Sequence, residues 1–291
     1  MFFFSFYCAT TTGWVEWKEG ERAENEYNIL WRDQSFPLPI HLHASQNSEY
    51  KLLNHFNGRD TRGFCAKDQL GLNLRRCKTI YGSMYAFIPS TFVLPKETFE
   101  LKKAMGMKRH QGAYWIHKPT DGRRGGGIFL FKTIDELNTV IQENDEKRKQ
   151  EKRVITNGNY LVQRYIDKPC LVAGYKFDLR LYVYVASFWP LQVFLYRKGL
   201  TRFSTQPYDN SEHKNLFSHL TNSTINYNSP DMNADKPVIG KGCKWTIERL
   251  FDFLEANQVN QTSSNPTYMN LISSKSHLIN RVLTCVTLLI L

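Results

Sequence analysis

Lys176, Asp178 and Arg180 stand two residues apart in the stretch from Gly174 to Val185. Apolar residues alternate with them, which is the two-residue period of a β-strand with one buried face. The three charged side chains should therefore project side by side, where they can pair with each other or bind a charged ligand. A solvated face of an edge strand explains the pattern equally well, because such charges are costly to bury without a partner.

A glycine-rich loop with two arginines, Arg123 to Gly127, lies upstream. Residues 114–119 and 128–131 around it have strand character, so the loop is predicted to form the tip of a hairpin. Glycine lets backbone amides approach phosphate oxygens, and Arg123 or Arg124 would supply positive charge. The loop lacks the lysine and serine or threonine of a Walker loop, which also opens a helix. A hairpin tip without a ligand is the alternative.

Three further segments hold candidate ligand-binding groups, and each has a structural alternative. Lys118, at the end of a strand, could reach a phosphate or extend into solvent. Residues 163–166 could bind an adenine edge or could be only a strand. His219, Thr221 and Asn222 place an imidazole, a hydroxyl and an amide in one polar loop. They could contact ribose or phosphate, or cap a turn.

Predicted strands and helices position these groups. Besides the strands named above, the predicted elements are a surface helix at 67–77, an extended connection at 87–95, a helix that Thr133 caps with an apolar stripe at Ile134, Leu137, Val140 and Ile141, strands at 159–166 and 191–196, a polar loop region at 205–240 and a helix at 244–257. The prolines that bound residues 87–95 make that connection a candidate domain boundary.

Composition limits the class of protein. The 291 residues are 42% apolar and 14% aromatic, which is typical of a globular chain with two or three compact units. Lysine and arginine number 38 against 27 acidic residues, and the net charge of +11 predicts an anionic partner. Nucleotide phosphate, nucleic acid and an acidic protein surface all fit that charge. A nucleic-acid binder is not favoured, because no recognised motif or regular aromatic platform accompanies it.

Cysteine use and the chain ends predict a cytosolic protein. The six cysteines show no CxxC pair and no zinc-type spacing with histidine, so reduced thiols are expected. The N-terminus has no basic leader and no cleavage site of a secretory signal. The apolar residues 282–291 are too few to span a bilayer, so no membrane partner is expected.

The order of the motifs is more specific than any one of them. They are Trp115 to Pro119, Arg124 to Ile128, Val162 to Ile166, Gly174 to Arg180, Tyr196 to Phe203 and His219 to Asn222. This order resembles the tubulin tyrosine ligase-like family over roughly residues 13–257. Thr91 to Pro95 and Gly240 to Thr246 look most similar to the polyglutamylase branch.

The resemblance implies an α+β protein with the ATP-grasp fold, in which two α+β units hold ATP between them. An N-terminal domain at 1–88, a central domain with the phosphate-covering hairpin at 89–166 and a partial C-terminal domain at 167–291 would follow. Members of the family activate an acid as an acyl phosphate, and an amine then displaces phosphate. In the polyglutamylase branch the acid is a side-chain carboxylate in a tubulin tail and the amine is free glutamate. The net charge of +11 suits an acidic tail.

Roles for individual residues are also implied by the resemblance. The residues that would contact ATP are Lys67, Lys118 and Lys176 at the phosphates, Arg124 and Gly125 in the covering hairpin, and Gln163, Arg164, Tyr165 and Ile166 at the adenine edge. His219, Thr221 and Asn222 would line the nucleotide and metal region. Asp178 would contact the nucleotide and position the amine. Arg180 and Arg202 would stabilise charge on the acyl phosphate and its tetrahedral successor.

Departures from the family pattern qualify these roles. Ala66 stands where the family commonly has arginine, and the hairpin reads Arg124-Gly-Gly-Gly where the family has Ser-Arg-Gly-Arg-Gly. The strands whose Asp, Glu and Asn bind Mg²⁺ in the family do not occur, and no acidic residue follows residue 257. A fold incomplete at the C-terminus is therefore expected, with no metal ligand assigned although ATP and Mg²⁺ are the implied cofactors.

The expected function is an ATP-dependent tubulin polyglutamylase, with an inactive truncated pseudoenzyme that binds microtubules, or a tubulin glycylase, as alternatives. Tubulin or microtubules and free glutamate are the expected partners of a monomer. The expected location is the cytoplasm and cytoskeleton, with the cilium or basal body as narrower alternatives.

Overall fold

The fold mixes helices and strands, as the α+β prediction requires. The computed structural model describes residues 15, 28–32, 36–46, 49, 51–54, 66–85, 87–120, 125–150 and 160–257. Compactness divides the chain into one unit at 1–65 and another at 66–291. The three-part domain division of the sequence stays a prediction. The described residues include no helix long and apolar enough to cross a membrane.

The first unit contains a small parallel sheet. Strand β1 (Ile29–Arg32) and strand β2 (Lys51–Asn54) pair in parallel, with helix α1 (Leu38–Gln46) between them in the chain. A crossover is needed here, because parallel neighbours cannot be joined by a tight turn.

The second unit begins with a four-stranded antiparallel sheet. Its elements in chain order are α2 (Lys67–Tyr81), β3 (Thr91–Leu94), α3 (Thr98–Met105), β4 (Trp115–Pro119), β5 (Phe129–Phe131), α4 (Ile134–Gln150) and β6 (Tyr160–Arg164), and the strand order is β3-β6-β4-β5. The predicted hairpin is confirmed, because Trp115 lies opposite Phe131. The extended prediction for residues 87–95 holds at Thr91–Leu94, which form an edge strand of the sheet. The helix predicted at 67–77 is confirmed and extends to Tyr81.

Alternating side chains give this sheet two buried faces. Trp115 and Phe131 pack with Leu137 on the face that α3 and α4 cover. Ile116 and Leu130 project to the opposite face, where they meet Tyr165 and Leu220. The predicted cap of α4 is confirmed, because the backbone N–H of Glu136 donates to Thr133 Oγ1 at 3.2 Å. The face with Ile116 is the one that also holds the candidate site.

The remaining elements include a second four-stranded sheet and the helix that covers it. They are β7 (Leu171–Val172), β8 (Tyr175–Arg180), β9 (Val183–Phe188), β10 (Leu191–Leu195), β11 (Leu200–Phe203), α5 (Leu216–His219), α6 (Ser223–Tyr227), β12 (Asp235–Lys236), β13 (Gly240–Lys241), β14 (Lys244–Thr246) and α7 (Ile247–Asn257). The sheet order is β14-β11-β8-β7, and among the described residues β9 pairs with β10 alone and β12 with β13 alone. Phe203, Trp245 and Leu250 form the core between this sheet and α7.

Three sequence predictions need correction in this part of the chain. The strand predicted as continuous over 174–185 is interrupted at Leu181 and Tyr182. Two residues, 181 and 182, separate β8 from β9, whereas four residues, 196–199, separate β10 from β11 on the opposite side. These unequal lengths break the pairing. Residues 244–246 are a strand, because they pair with β11, so the last helix starts at Ile247. The polar region 205–240 contains α5, α6 and β12, whose turns are closed by side-chain hydrogen bonds such as Asn226 Nδ2 to the Leu220 carbonyl at 2.7 Å.

Gly71 lets α2 approach the β3-β6-β4-β5 sheet closely. A Cβ at this position would lie 2.9 Å from Thr91 Cγ2 and 3.4 Å from Leu161 Cδ1. Thr91 cannot rotate away cheaply, because its hydroxyl donates to the Pro89 carbonyl and accepts from Gln163. The helix therefore sits on the sheet at a distance that only glycine permits.

We expect Gly71→Ala to destabilise the protein by about 1–3 kcal/mol, because overpacking outweighs the helix propensity that alanine normally adds. Urea denaturation measures the difference. Gly106→Ala is the matched control, because the nearest atoms to its Cβ would be carbonyl oxygens at an ordinary 3.7 Å. Equal stability of the two variants would show that the approach of α2 is not tight.

Candidate functional site

Two lysines lie beside each other at the end of β4. Lys67 begins α2, and its Nζ donates to the carbonyl oxygen of Pro119 at 2.9 Å. Lys118 is partly buried, and its Nζ donates to Gln163 Oε1 at 2.7 Å. Burial first, and then the charge of Lys67, lower the pKa of Lys118 to about 8. A bound anion would relieve both effects, because it would neutralise two neighbouring cations.

Lys176 brings a third ammonium group from the second sheet. Its Nζ donates to the hydroxyl of Tyr165 at 2.7 Å and lies 4.5 Å from the centroid of that ring. Burial and the charge of Lys118 lower the pKa of Lys176 to about 8, against a smaller opposing effect of Asp178. Neither Lys118 nor Lys176 forms an ion pair with a carboxylate in the described part of the chain. The structure thus brings together the three lysines that the sequence named.

Gln163 holds Lys118 from the neighbouring strand. Its Oε1 accepts from Lys118, and its Nε2 donates to Thr91 Oγ1 at 2.8 Å. Both ends of the amide are therefore occupied inside the sheet. The neighbouring Arg164 lies 3.5 Å from Asp167, and its buried Nε has no hydrogen-bond partner among the described residues. Because Arg164 lies opposite Trp115 in the pair of β4 and β6, its side chain shares the face of Trp115 and points away from Lys118.

Tyr165 and Ile166 end this strand region in different environments. Tyr165 is buried, and its backbone N–H donates to the Tyr114 carbonyl at 2.9 Å. Ile166 is 45% exposed. Of the four residues predicted at an adenine edge, Gln163 and Tyr165 thus direct their side chains to site lysines, while Ile166 leaves its side chain open to solvent.

An arginine–carboxylate cluster lies next along β8. Asp178 is directly opposite Arg202 in the antiparallel pair of β8 and β11. Arg202 donates from Nε to Oδ1 at 2.8 Å and from Nη2 to Oδ2 at 2.5 Å, a bidentate pair. Arg180 Nη2 lies 3.3 Å from the same Oδ2. The Arg202 side chain is only 12% exposed and that of Arg180 is 48% exposed, so Arg180 is the more accessible guanidinium.

The segment that contains His219 contacts the site through Tyr165, and the hairpin tip packs against the residues that follow His219. His219 is completely buried, and its Nδ1 lies 3.0 Å from the Tyr165 hydroxyl. Gly125, with a φ of +87°, lies against α6: its Cβ would be 2.6 Å from Ile225 Cδ1 and 3.3 Å from Asn222 Cγ. Thr221, which lies between His219 and Asn222 in the sequence, is buried. Arg124, predicted to cover the phosphates, lies outside the described residues.

Sequence reasoning missed Tyr208 as part of the site. Its ring centroid lies 6.0 Å from Lys176 Nζ and 5.2 Å from the His219 ring. The hydroxyl donates to the Asp167 carbonyl at 2.9 Å, and burial raises the pKa of Tyr208 to about 12. A lone tyrosine in a polar stretch gives no local signal, because only the fold brings it to Lys176.

The described residues suit phosphate binding better than metal binding. Three ammonium groups lie close together, which fits the negative charge of a nucleoside triphosphate. No group of three or more His, Cys, Asp or Glu side chains in the described ranges could hold a metal ion. Asp178 is engaged by two arginines. These residues therefore do not fit a Mg²⁺ ion.

The affinity of this site for a phosphate ligand should fall as the pH rises above about 8. Below that pH, Lys118 and Lys176 already carry the protons that phosphate contact requires. Above it, each lysine must take up a proton on binding, which costs about tenfold in affinity per pH unit and per lysine. Titration calorimetry in buffers of different ionisation enthalpy would measure the uptake. An affinity that stays constant from pH 7 to 9.5 would contradict this predicted proton uptake.

Without a ligand, the free energy of unfolding should rise with pH between about 8 and 10.5. In this window the folded state has released protons from Lys118 and Lys176. In the unfolded chain both lysines have the ordinary pKa of 10.5 and keep their protons. The unfolded state then binds more protons, so higher pH favours folding. Urea denaturation at pH 7, 8 and 9.5 measures this pH dependence. The double variant Lys118→Met/Lys176→Met should show no such increase in the free energy of unfolding.

Comparison with known proteins finds relatives that match most of the chain. The family model described as "Tubulin-tyrosine ligase family" matches residues 43–284. "Probable tubulin polyglutamylase TTLL2" of Homo sapiens is 36% identical over 252 residues, covering 84% of this chain and 38% of its own length. "Probable beta-tubulin polyglutamylase" of Tetrahymena thermophila is 33% identical over 246 residues, covering 82% of this chain and 19% of its own. The chain therefore spans less than half of the length of these relatives.

Proposed function

The chain belongs to the tubulin-tyrosine ligase family, and we propose that it is an ATP-dependent acid–amine ligase that adds glutamate to side-chain carboxylates of tubulin tails. The observation that supports this most is the convergence of Lys67, Lys118 and Lys176 from three separate elements. Two of these ammonium groups are held partly buried without a carboxylate partner in the described residues. Such an arrangement is destabilising for the empty protein and is explained by a polyanionic ligand.

We propose an ATP-grasp arrangement, in which the triphosphate lies between the two four-stranded sheets of the second unit. Lys67 would contact it from the start of α2, Lys118 from β4 and Lys176 from β8. The hairpin tip at Gly125 would cover the phosphates, and the strand region at 163–166 would face the adenine.

The reaction would proceed in two steps. A carboxylate oxygen of the acceptor attacks the γ-phosphorus of ATP, the bond from that phosphorus to the bridging oxygen breaks, and ADP leaves with the electron pair. The neutral amine of glutamate then attacks the acyl carbon, and inorganic phosphate leaves as the tetrahedral centre collapses. The amine loses one proton, and an amide bond results.

The cluster around Asp178 would organise the second half of this reaction. Asp178 holds Arg202 in a bidentate pair, which fixes the guanidinium on a rigid strand. Arg180, the more exposed of the two arginines, would contact the acyl phosphate oxygens and the tetrahedral anion. Preorganised cations of this kind are often the largest contribution to catalysis.

The rest of the molecule suits an acidic macromolecular substrate. The net charge of +11 attracts the glutamate-rich tails of tubulin and increases the rate of encounter. We therefore propose tubulin or microtubules as the partner, a cytoplasmic and cytoskeletal location and a monomeric protein. Mg²⁺ is the usual companion of ATP in phosphoryl transfer, but the described residues supply no set of ligands for it.

Incubation of the purified chain with tubulin, ATP, Mg²⁺ and labelled glutamate tests the function. We expect label in tubulin only when ATP is present, with one ADP formed per glutamate added. A parallel reaction with labelled glycine separates a glycylase. Microtubule binding without any incorporation would overturn the ligase proposal for this chain and leave a binding protein.

A further inference from the structure

A chain of hydrogen bonds links Lys176 to a histidine that no ligand can reach directly. Lys176 Nζ donates to the Tyr165 hydroxyl at 2.7 Å, and that hydroxyl lies 3.0 Å from His219 Nδ1. His219 Nε2 lies 3.2 Å from the carbonyl oxygen of Glu212. His219 has no exposed surface, so it can influence a ligand only through Tyr165 and Lys176.

With a neutral imidazole, one arrangement of protons satisfies all three bonds. The Glu212 carbonyl can only accept, so His219 Nε2 must carry a proton and donate it. Nδ1 of the neutral imidazole is then an acceptor, and the Tyr165 hydroxyl donates to it. The lone pairs of the Tyr165 oxygen are thereby left for the ammonium of Lys176. Neutral His219 thus orients the hydroxyl so that its oxygen faces Lys176.

The surrounding structure holds this chain rigidly. Tyr208 packs edge-on against His219 and lies beside Lys176, and its backbone N–H donates to Gly174 O at 2.8 Å, which ties it to the start of β8. Asn226, also without exposed surface, donates to the Leu220 carbonyl directly after His219. Its Oδ1 accepts from the backbone N–H and the hydroxyl of Thr205. The His219 ring therefore has little freedom to turn.

We propose that His219 is a positioning residue that holds the Lys176 ammonium in place through the Tyr165 hydroxyl. The proposal rests on the proposed function in one respect, because the held ammonium is the one that would meet the ATP phosphates. In this proposal His219 acts on the ligand through Tyr165 and Lys176, whereas the family resemblance implies that His219 itself lines the nucleotide region.

The charges around His219 favour the neutral imidazole that this role needs. Burial is the main cause that lowers the pKa of His219, and the nearby charges of Lys176 and His213 act in the same direction. The Glu212 carbonyl and Asp209 oppose them. A protonated ring would direct an Nδ1–H at the same oxygen that accepts from Lys176, so two cations would compete for one acceptor.

Acetylation of Lys176 in the absence of nucleotide tests the proposal independently of ATP binding. Rates of reaction with a water-soluble acetylating reagent, measured by mass spectrometry from pH 6.5 to 10.5, report the pKa of this amine. We expect a value near 8 in the unaltered chain. In Tyr165→Phe the ammonium loses its acceptor, and in His219→Leu the acceptor loses the partner that orients it, so in both variants the pKa of Lys176 should fall by about one unit. The double variant should show no further fall, because both changes remove one interaction.

Two further variants separate positioning from general packing. His219→Asn keeps an acceptor near the position of Nδ1 and should retain most of the original profile. His213→Leu applies the same substitution in the same segment, at a ring that packs at a tilt against Tyr114 and does not bond to Tyr165. It should leave the pH profile of Lys176 unchanged.

The dependence of the Lys176 acetylation rate on pH decides whether His219 positions this ammonium. A pKa that rises towards 10.5 would mean that the ammonium has moved into water, which also shows that His219 and Tyr165 hold it. Profiles of His219→Leu and Tyr165→Phe that equal the unaltered one would overturn the proposal. ATP affinity of the same variants is measured separately: failure of the unaltered chain to bind ATP would contradict the proposed function and leave the positioning result standing.

Discussion

Lys176→Met is expected to weaken ATP binding by about 100-fold and, in the same protein, to raise the free energy of unfolding by about 1–2 kcal/mol. The two effects have one cause. The ammonium is held away from water and near Lys118, which destabilises the empty protein, and its contact with phosphate is what offsets that cost. Methionine fills similar space without charge. Titration calorimetry and urea denaturation measure the two quantities.

Lys241→Met is the control for this variant. Lys241 is exposed on β13, so the substitution removes the same charge from the protein surface. We expect little change in stability and less than about threefold in ATP affinity, since exposed charges interact weakly. Lower stability of Lys176→Met together with unchanged ATP affinity would show that this lysine is structural.

Asp178→Asn is expected to reduce glutamate incorporation by at least about 100-fold, because Arg202 and Arg180 would lose the carboxylate that aligns them. It should also lower the free energy of unfolding by about 1–3 kcal/mol, since the Arg202 guanidinium is 12% exposed and would be left without its ionic partner. ATP affinity should change much less than turnover. A measurement of KM for ATP against kcat separates the two.

Glu97→Gln offers a matched control at a second arginine–carboxylate pair. Arg75 Nη2 donates to Glu97 Oε1, and Glu97 Oε2 accepts from the Val93 backbone at 2.7 Å. We expect a comparable loss of stability and undiminished turnover of the folded fraction. If Asp178→Asn reduces turnover no more than Glu97→Gln does at equal stability, the Asp178 cluster is structural only.

Local patterns in the sequence predicted the parts of the site that lie on single elements. Alternation along β8 was enough to place Lys176, Asp178 and Arg180 on one face, because side chains two apart always share a face of a strand. The glycine-rich hairpin and the cap at Thr133 were predicted for the same reason, since each depends on neighbouring residues only. The α+β class followed from the family resemblance.

Contacts between distant elements were beyond local patterns. Arg202 meets Asp178 only through the register of β11 on β8, and Tyr208 reaches Lys176 only through the path of the loop after β11. The interruption at Leu181 and Tyr182 depends on the length of the opposite segment. Residues 244–246 resembled the start of a helix until pairing with β11 made them a strand.

Protection of the site lysines by ATP tests the central claim most directly. The chain is acetylated with and without ATP at about ten times its Kd, and the rate at each lysine is read by mass spectrometry. We expect the rates at Lys118 and Lys176 to fall by about tenfold with ATP while the rate at Lys241 stays the same. Equal rates at Lys118 and Lys176 with and without bound ATP would contradict a phosphate site between these lysines.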